Sequence, residues 1–103
     1  MNLRDYQTRA RTTSITPPGY AILYPALGLA GEAGEVANKV KKLIRDGALD
    51  QDAVAQEMGD VLWYLAELAT DLGLDLDRIA EDNLARLADR QARSAIHGSG
   101  DER

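Results

Sequence analysis

The sequence predicts an all-α domain: an antiparallel helical bundle whose core is completed by homo-oligomerisation. Three observations carry that prediction. Two stretches of about twenty residues repeat apolar side chains at alternating steps of four and three. The first runs through Leu29, Ala33, Val36, Val40 and Leu43, the second through Val54, Met58, Val61, Leu65, Leu68 and Leu72. The breaks after them are short, which makes sequential helices antiparallel neighbours, and strand signals are absent. The stripes are broad, and a chain of 103 residues is marginal as a lone helical layer pair. Association of two chains is the simplest way to cover them.

Taken in order, Leu3 to about Arg11 forms a short first helix on a thin stripe of Leu3, Tyr6 and Ala10, with Asn2 as its N-cap. Thr12 to Tyr24 follows with Thr, Ser and Pro17-Pro18-Gly19, which is loop chemistry. Long loops in small domains are functional or mobile, and Tyr20 and Tyr24 are aromatic groups that either cover a ligand or pin the loop to the bundle. A second helix is expected from near Pro25, a residue suited to a first helical position, to Arg45-Asp46, with Gly47 as its C-terminal cap. Asp50 or Asp52 caps a third helix that Gly73 stops. Asp75 or Asp77 starts a fourth through Ile79, Asn83, Leu84 and Leu87 to about Arg93. The domain is therefore placed at residues 1–93, and residues 94–103, rich in Gly, Ser and charge, read as a disordered tail.

Composition removes several function classes. There is no cysteine, hence no disulfide, thiolate catalysis or Cys-type zinc site. The single histidine, His97, falls in the tail and reads as an exposed residue rather than a ligand. One tryptophan, four tyrosines and no phenylalanine leave the core to Leu, Val, Ile and Ala. A net charge of −5 opposes binding to a nucleic-acid backbone. No signal segment opens the chain and no apolar run reaches the ~18 residues of a membrane span. The expectation is a cytoplasmic protein with neither a nucleic-acid nor a membrane partner.

Beside the apolar stripe of the second helix runs another: Glu32, Glu35, Lys39 and Lys42. Beside that of the third stand Glu57, Asp60, Tyr64 and Glu67. Glu32-x-x-Glu35 and Glu57-x-x-Asp60 each put two carboxylates one turn apart, offset from the core in the same rotational sense. Packed antiparallel, the two helices turn both pairs toward one crevice, where four carboxylates repel strongly unless a cation lies between them. An all-oxygen donor set selects Mg²⁺, with Mn²⁺ as an alternative. Taken singly, each pair is routine surface charge, and Glu35 with Lys39 is an ion pair worth about 0.2–0.5 kcal/mol. The combination outweighs that reading, and Gly31, Gly34 and Gly59 nearby allow close approach of a neighbour or ligand. A di-iron site needs Glu-x-x-His on two helices, and no such histidine exists. Lys39 and Lys42 near a hard cation favour a phosphate-bearing substrate. Asn83, Arg86 and Arg90 share a face of the fourth helix suited either to outer phosphates or to plain solvent exposure. Trp63 reads as a packing or interface residue before a base-stacking one.

The segments Leu27-Gly28-Leu29-Ala30-Gly31-Glu32-Ala33-Gly34-Glu35-Val36, Glu57-Met58-Gly59-Asp60-Val61-Leu62-Trp63-Tyr64 and Asn83-Leu84-Ala85-Arg86-Leu87 resemble the MazG-like nucleotide pyrophosphohydrolases of the all-α NTP pyrophosphohydrolase superfamily. The resemblance spans roughly residues 20 to 92 and covers one such unit rather than a tandem pair. It implies Mg²⁺-dependent hydrolysis of a (deoxy)nucleoside triphosphate to monophosphate and pyrophosphate, in nucleotide-pool house-cleaning. It also implies that Glu32, Glu35, Glu57 and Asp60 are metal ligands, that Lys39, Tyr64 and Asn83 contact phosphate or sugar, and that the chain is a homodimer or homotetramer. Arg86 stands where the family often has Lys, which keeps the charge but changes the phosphate geometry. Glu35 is the expected group for orienting the attacking water. The related phosphoribosyl-ATP pyrophosphohydrolase activity is an alternative, and a non-catalytic, nucleotide-sensing helical oligomer is one of another class.

Overall fold

Each helix boundary is set by a local hydrogen bond. In the computed structural model, which describes residues 1–93, α1 (Leu3–Arg11) begins where the Asn2 side chain accepts the Asp5 amide at 2.8 Å. Its expected limits hold. The second helix, α2 (Leu23–Asp46), ends on Gly47, which takes the left-handed conformation (φ 75°) and donates its N–H to the Leu43 carbonyl. The third, α3 (Gln51–Asp71), opens with the Asp50 carboxylate accepting the Ala53 amide, and the fourth, α4 (Leu76–Ala92), opens with Asp75 accepting from Asp77. No strand is present among the described residues. The tail 94–103, with His97, lies outside the described residues.

The start of α2 differs from the expected one. The helix opens at Leu23, two residues before Pro25, and Pro25 is fully buried inside its first turn. The first four amides of a helix have no intrahelical acceptor, so a proline costs no hydrogen bond there. The entry is set instead by Ile22, a non-glycine residue at φ 69°, ψ −56°. The Leu23 amide donates back to the Ala21 carbonyl at 2.7 Å, closing a three-residue γ-turn of the rare, strained hand.

Packing is organised around α3. Ala10 of α1, Ala66 of α3 and Leu76 of α4 form the buried cluster, flanked by Leu3, Tyr6, Leu62, Trp63 and Leu65. The short α1 therefore contributes more than its thin stripe suggests. Gln7 holds the α3–α4 turn from both sides: its amide donates to the Leu74 carbonyl and its oxygen accepts the Leu76 amide, each at 2.8 Å. Arg4 adds an ion pair to Asp75 at 2.8 Å. These bonds fasten the start of α4 to α1. Beyond it α4 stands away from α3, with a cleft of about 300 Å³ between Leu62 and Leu65 on one side and Ile79, Asn83 and Arg86 on the other. The simple antiparallel neighbour expected from the short turn is not formed, because α1 occupies that place.

The apolar stripes of α2 and α3 are only partly covered. Val36, Val61, Leu62 and Leu65 line an open groove of about 620 Å³ together with Met58 and Gly59. Val40 and Leu43 are exposed on the same α2 stripe, Ile44 beside it is 90 % exposed, and Leu84 on α4 is 67 % exposed.

Candidate metal centre

The antiparallel pairing of α2 and α3 fixes a register in which Gly28 faces Tyr64 and, one turn along, Glu32 faces Glu57 and Asp60. Gly28 is where backbone clearance matters: a Cβ there would lie well inside contact distance of the Tyr64 ring. The expectation that Gly31, Gly34 and Gly59 supply clearance is not met within this chain, since a Cβ at each meets open space. The tight approach lies one turn earlier, where the Tyr64 ring packs close against the helix at Gly28.

Glu57 and Asp60, three residues apart, project from the same face of α3, and Glu32 reaches them from α2. One carboxylate oxygen from each lies within 4.8 Å of the others. Burial, then a shared hydrogen bond with Glu57 and the charges of Asp60, Glu57 and Glu35, raises the Glu32 carboxyl above its ordinary range. The charges that push it up, those of Asp60, Glu57 and Glu35, are all negative. Such a trio wants a proton or a cation in its midst, and three carboxylate oxygens suit a hard divalent ion such as Mg²⁺ or Mn²⁺.

The remaining sequence-derived candidates divide. Glu35, exposed one turn beyond Glu32, adds its charge to that residue but stands outside the close trio. Tyr64 lies beside Glu32 and Asp60, and burial followed by the neighbouring Tyr24 and Glu32 raises its phenol. Lys39 and Lys42 are half-buried farther along α2. The charge of Lys42 acts on Asp46, which Arg45 first and Lys42 also hold below the usual carboxylate range. Asn83 and Arg86 line the α4 cleft, apart from the trio, and Arg90 on their face is buried. Within one chain the structure does not bring Asn83 or Arg86 to the carboxylates, because α4 is fastened to α1 rather than laid along α3.

Next to the trio is a pocket of about 290 Å³ lined by Thr13, Ile15, Glu32, Asp60, Trp63 and Tyr64. Trp63 donates its indole N–H to the Thr13 hydroxyl at 2.8 Å and meets Tyr64 edge to face, with ring centroids 5.0 Å apart. It is thus a pocket wall as well as a packing residue. Thr13 and Ile15 escaped the residue-by-residue reading, and only the length of their loop marked them. Tyr6 of α1 was also missed: burial and then the Asp60 charge raise its phenol. Of the two loop tyrosines, Tyr24 packs against Tyr64 at 6.5 Å while Tyr20 stays exposed.

Comparison with known proteins adds two findings. The MazG nucleotide pyrophosphohydrolase domain family matches residues 24–94. The "Gene 37 protein" of Mycobacterium phage L5 is 42 % identical over 114 aligned positions covering all of both chains. No solved structure matches. No helix among the described residues is long and apolar enough to cross a membrane.

Proposed function

This chain belongs to the MazG nucleotide pyrophosphohydrolase family, and on that premise we propose that it is a Mg²⁺-dependent hydrolase cleaving a nucleoside triphosphate between its α and β phosphates. Water adds to the α-phosphorus and pyrophosphate leaves, giving a (deoxy)nucleoside monophosphate in house-cleaning of the nucleotide pool. The observation that carries the proposal is the convergence of Glu32, Glu57 and Asp60 from facing helices, with one carboxylate oxygen of each within 4.8 Å of the others.

The three residues fit a hard divalent ion by donor type and separation, and Glu35 completes the set from the next turn of α2. When bound, Mg²⁺ or Mn²⁺ neutralises phosphate oxygens and polarises the α-phosphorus. Glu35, exposed and one turn from Glu32, is the group that orients the attacking water. Tyr64, on the wall shared by the trio and the pocket, contacts the sugar or phosphates. Lys39 offsets the charge of the outer phosphates from farther along α2. Asn83 and Arg86 reach a substrate only across an assembly. The open groove along Val36, Met58 and Leu62 and the exposed Val40 and Leu43 support a homodimer or homotetramer built through the α2–α3 face.

The test is pyrophosphate release from a panel of canonical and aberrant nucleoside triphosphates with Mg²⁺, repeated with a chelator. Release from at least one nucleotide, abolished by the chelator and by Glu35→Ala with helical circular dichroism intact, is expected. Chelator-resistant turnover, or full activity in Glu35→Ala, overturns the proposal.

A further inference from the structure

The pocket wall formed by Thr13 and Ile15 belongs to the segment 12–22, and both ends of that segment are tied to one side chain. Arg11, immediately before it, donates from Nη2 to Asp71 Oδ1. Ile22, at its end, donates its backbone N–H to Asp71 Oδ2 at 2.8 Å. We propose that Asp71 is a positioning residue: its carboxylate closes the segment 12–22 and thereby holds the Thr13–Ile15 wall against the pocket beside Glu32 and Asp60, setting nucleotide affinity rather than the rate of cleavage. The inference deepens the proposed activity and rests on it.

Three features support this role. First, Asp71 is too far along α3 to act on the carboxylate trio directly: eleven residues separate it from Asp60, about 16 Å of helix rise. Second, the closure is built rather than incidental. The Asp71 side chain is only 5 % exposed, and Arg11 is locked by further contacts to the Glu67 carbonyl at 3.2 Å and to the buried Glu67 carboxylate at 3.4 Å. Third, the bond from Ile22 is made by the residue at the centre of the strained γ-turn. A conformation of this kind is strained and persists only where its surroundings over-determine it. Burial alone pushes the Asp71 carboxyl upward, but the Ile22 amide and the Arg11 guanidinium outweigh it and hold the group below the ordinary carboxylate range. Inside the closed segment, the Thr13 hydroxyl accepts the Trp63 indole and donates to the Ala10 carbonyl at 2.9 Å. The hold of Asp71 is thus relayed to the pocket wall.

The experiment compares Asp71→Ala and Asp71→Asn with the unaltered chain. KM and kcat are measured on the nucleotide of the panel that is turned over fastest, and Mn²⁺ binding is measured without nucleotide. Asp71→Ala is expected to raise KM tenfold or more, keep kcat within threefold and leave Mn²⁺ binding unchanged. Asp71→Asn, which retains an acceptor for Ile22, lies between. Thr13→Val, which removes the indole's acceptor without touching Asp71, raises KM in the same way. An unchanged KM in Asp71→Ala, a fall in kcat at constant KM, or a parallel loss of Mn²⁺ binding overturns the proposal. If Asp71→Ala does not fold, Asp71→Asn and Arg11→Lys carry the comparison, and wild-type KM in both overturns it. Chymotryptic cleavage at Tyr20 reads the closure without any substrate. Faster cleavage in Asp71→Asn is expected, and equal rates refute the closure even if the chain hydrolyses no nucleotide. Absence of turnover in the unaltered chain refutes the activity instead.

Discussion

Glu57→Gln should stabilise the metal-free protein while abolishing its response to metal, a pairing that no purely structural role for Glu57 produces. The glutamine keeps the size of the side chain and its ability to hydrogen-bond Glu32, and removes one charge from a trio whose oxygens lie within 4.8 Å. At that separation each pair of charges repels by about 0.9 kcal/mol in water and about 3.5 kcal/mol at an effective dielectric of 20. The trio is partly open to solvent, so the lower figure governs. Two pairs vanish with the substitution, and the upward shift of the Glu32 carboxyl, which favours its uncharged form, already relieves part of the repulsion. A net gain of about 1 kcal/mol follows, and each 1 kcal/mol raises the melting temperature of a domain this size by about 4–8 °C. In the unaltered chain, Mn²⁺ at a hundredfold excess over its Kd adds about 2.7 kcal/mol. The assay is thermal unfolding followed by circular dichroism at fixed protein concentration, with chelator and then with Mn²⁺. The variant should melt higher than the unaltered chain in chelator and show no increment with Mn²⁺. A lower melting point in chelator, or a retained Mn²⁺ increment, would falsify the assignment of these acids to a cation.

Gly28→Ala should destabilise the fold by about 1–3 kcal/mol through overpacking against Tyr64, whereas Gly31→Ala, facing open space, should gain about 1 kcal/mol of helix propensity. Denaturant unfolding of both variants checks this, and equal midpoints refute the close approach. The raised Glu32 carboxyl gives a pH dependence of definite sign. Its proton stabilises the metal-free fold below the ordinary glutamate range, and that contribution is lost as pH rises through the raised pKa. A cation competes with the proton, so Mn²⁺ affinity should fall on acidification before an ordinary glutamate would titrate, with protons released on binding. Calorimetry in buffers of different ionisation enthalpy reads the release, and a pH-independent affinity contradicts it. If the proposed homo-oligomer forms through the α2–α3 face, Val40→Glu combined with Ile44→Glu, both on exposed α2 positions, should leave monomers in sedimentation. An unaltered species distribution would remove the α2–α3 face as the interface.

Much of the fold is legible because helix signals are local. Asn2 caps α1 and Gly47 ends α2 as expected, and of the alternatives Asp50 or Asp52 and Asp75 or Asp77 the first of each is the cap. The periodic offset of Glu32, Glu57 and Asp60 from the apolar stripes also survived into three dimensions, since two antiparallel helices in contact must bring matching offsets to one edge. Glu67, fourth in the stripe of Glu57, Asp60 and Tyr64, turns out to be the buried partner of Arg11. Its position in that stripe was visible; its partner was not, because Arg11 lies 56 residues away in the chain.

What the sequence by itself determined is therefore the set of helices, their caps and the face on which the acids stand, all of which follow from spacings of three and four residues. Only the tertiary structure decided that Gly28 rather than Gly31, Gly34 or Gly59 takes a neighbour's ring, that α1 displaces α4 from α3, and that Asp71 gathers Arg11 and Ile22. The physical reason is common to all three. Each depends on which surfaces meet at close range between residues distant in the chain, and hydrophobic burial, being non-directional, leaves that choice to the shape and hydrogen bonding of the particular side chains that collide.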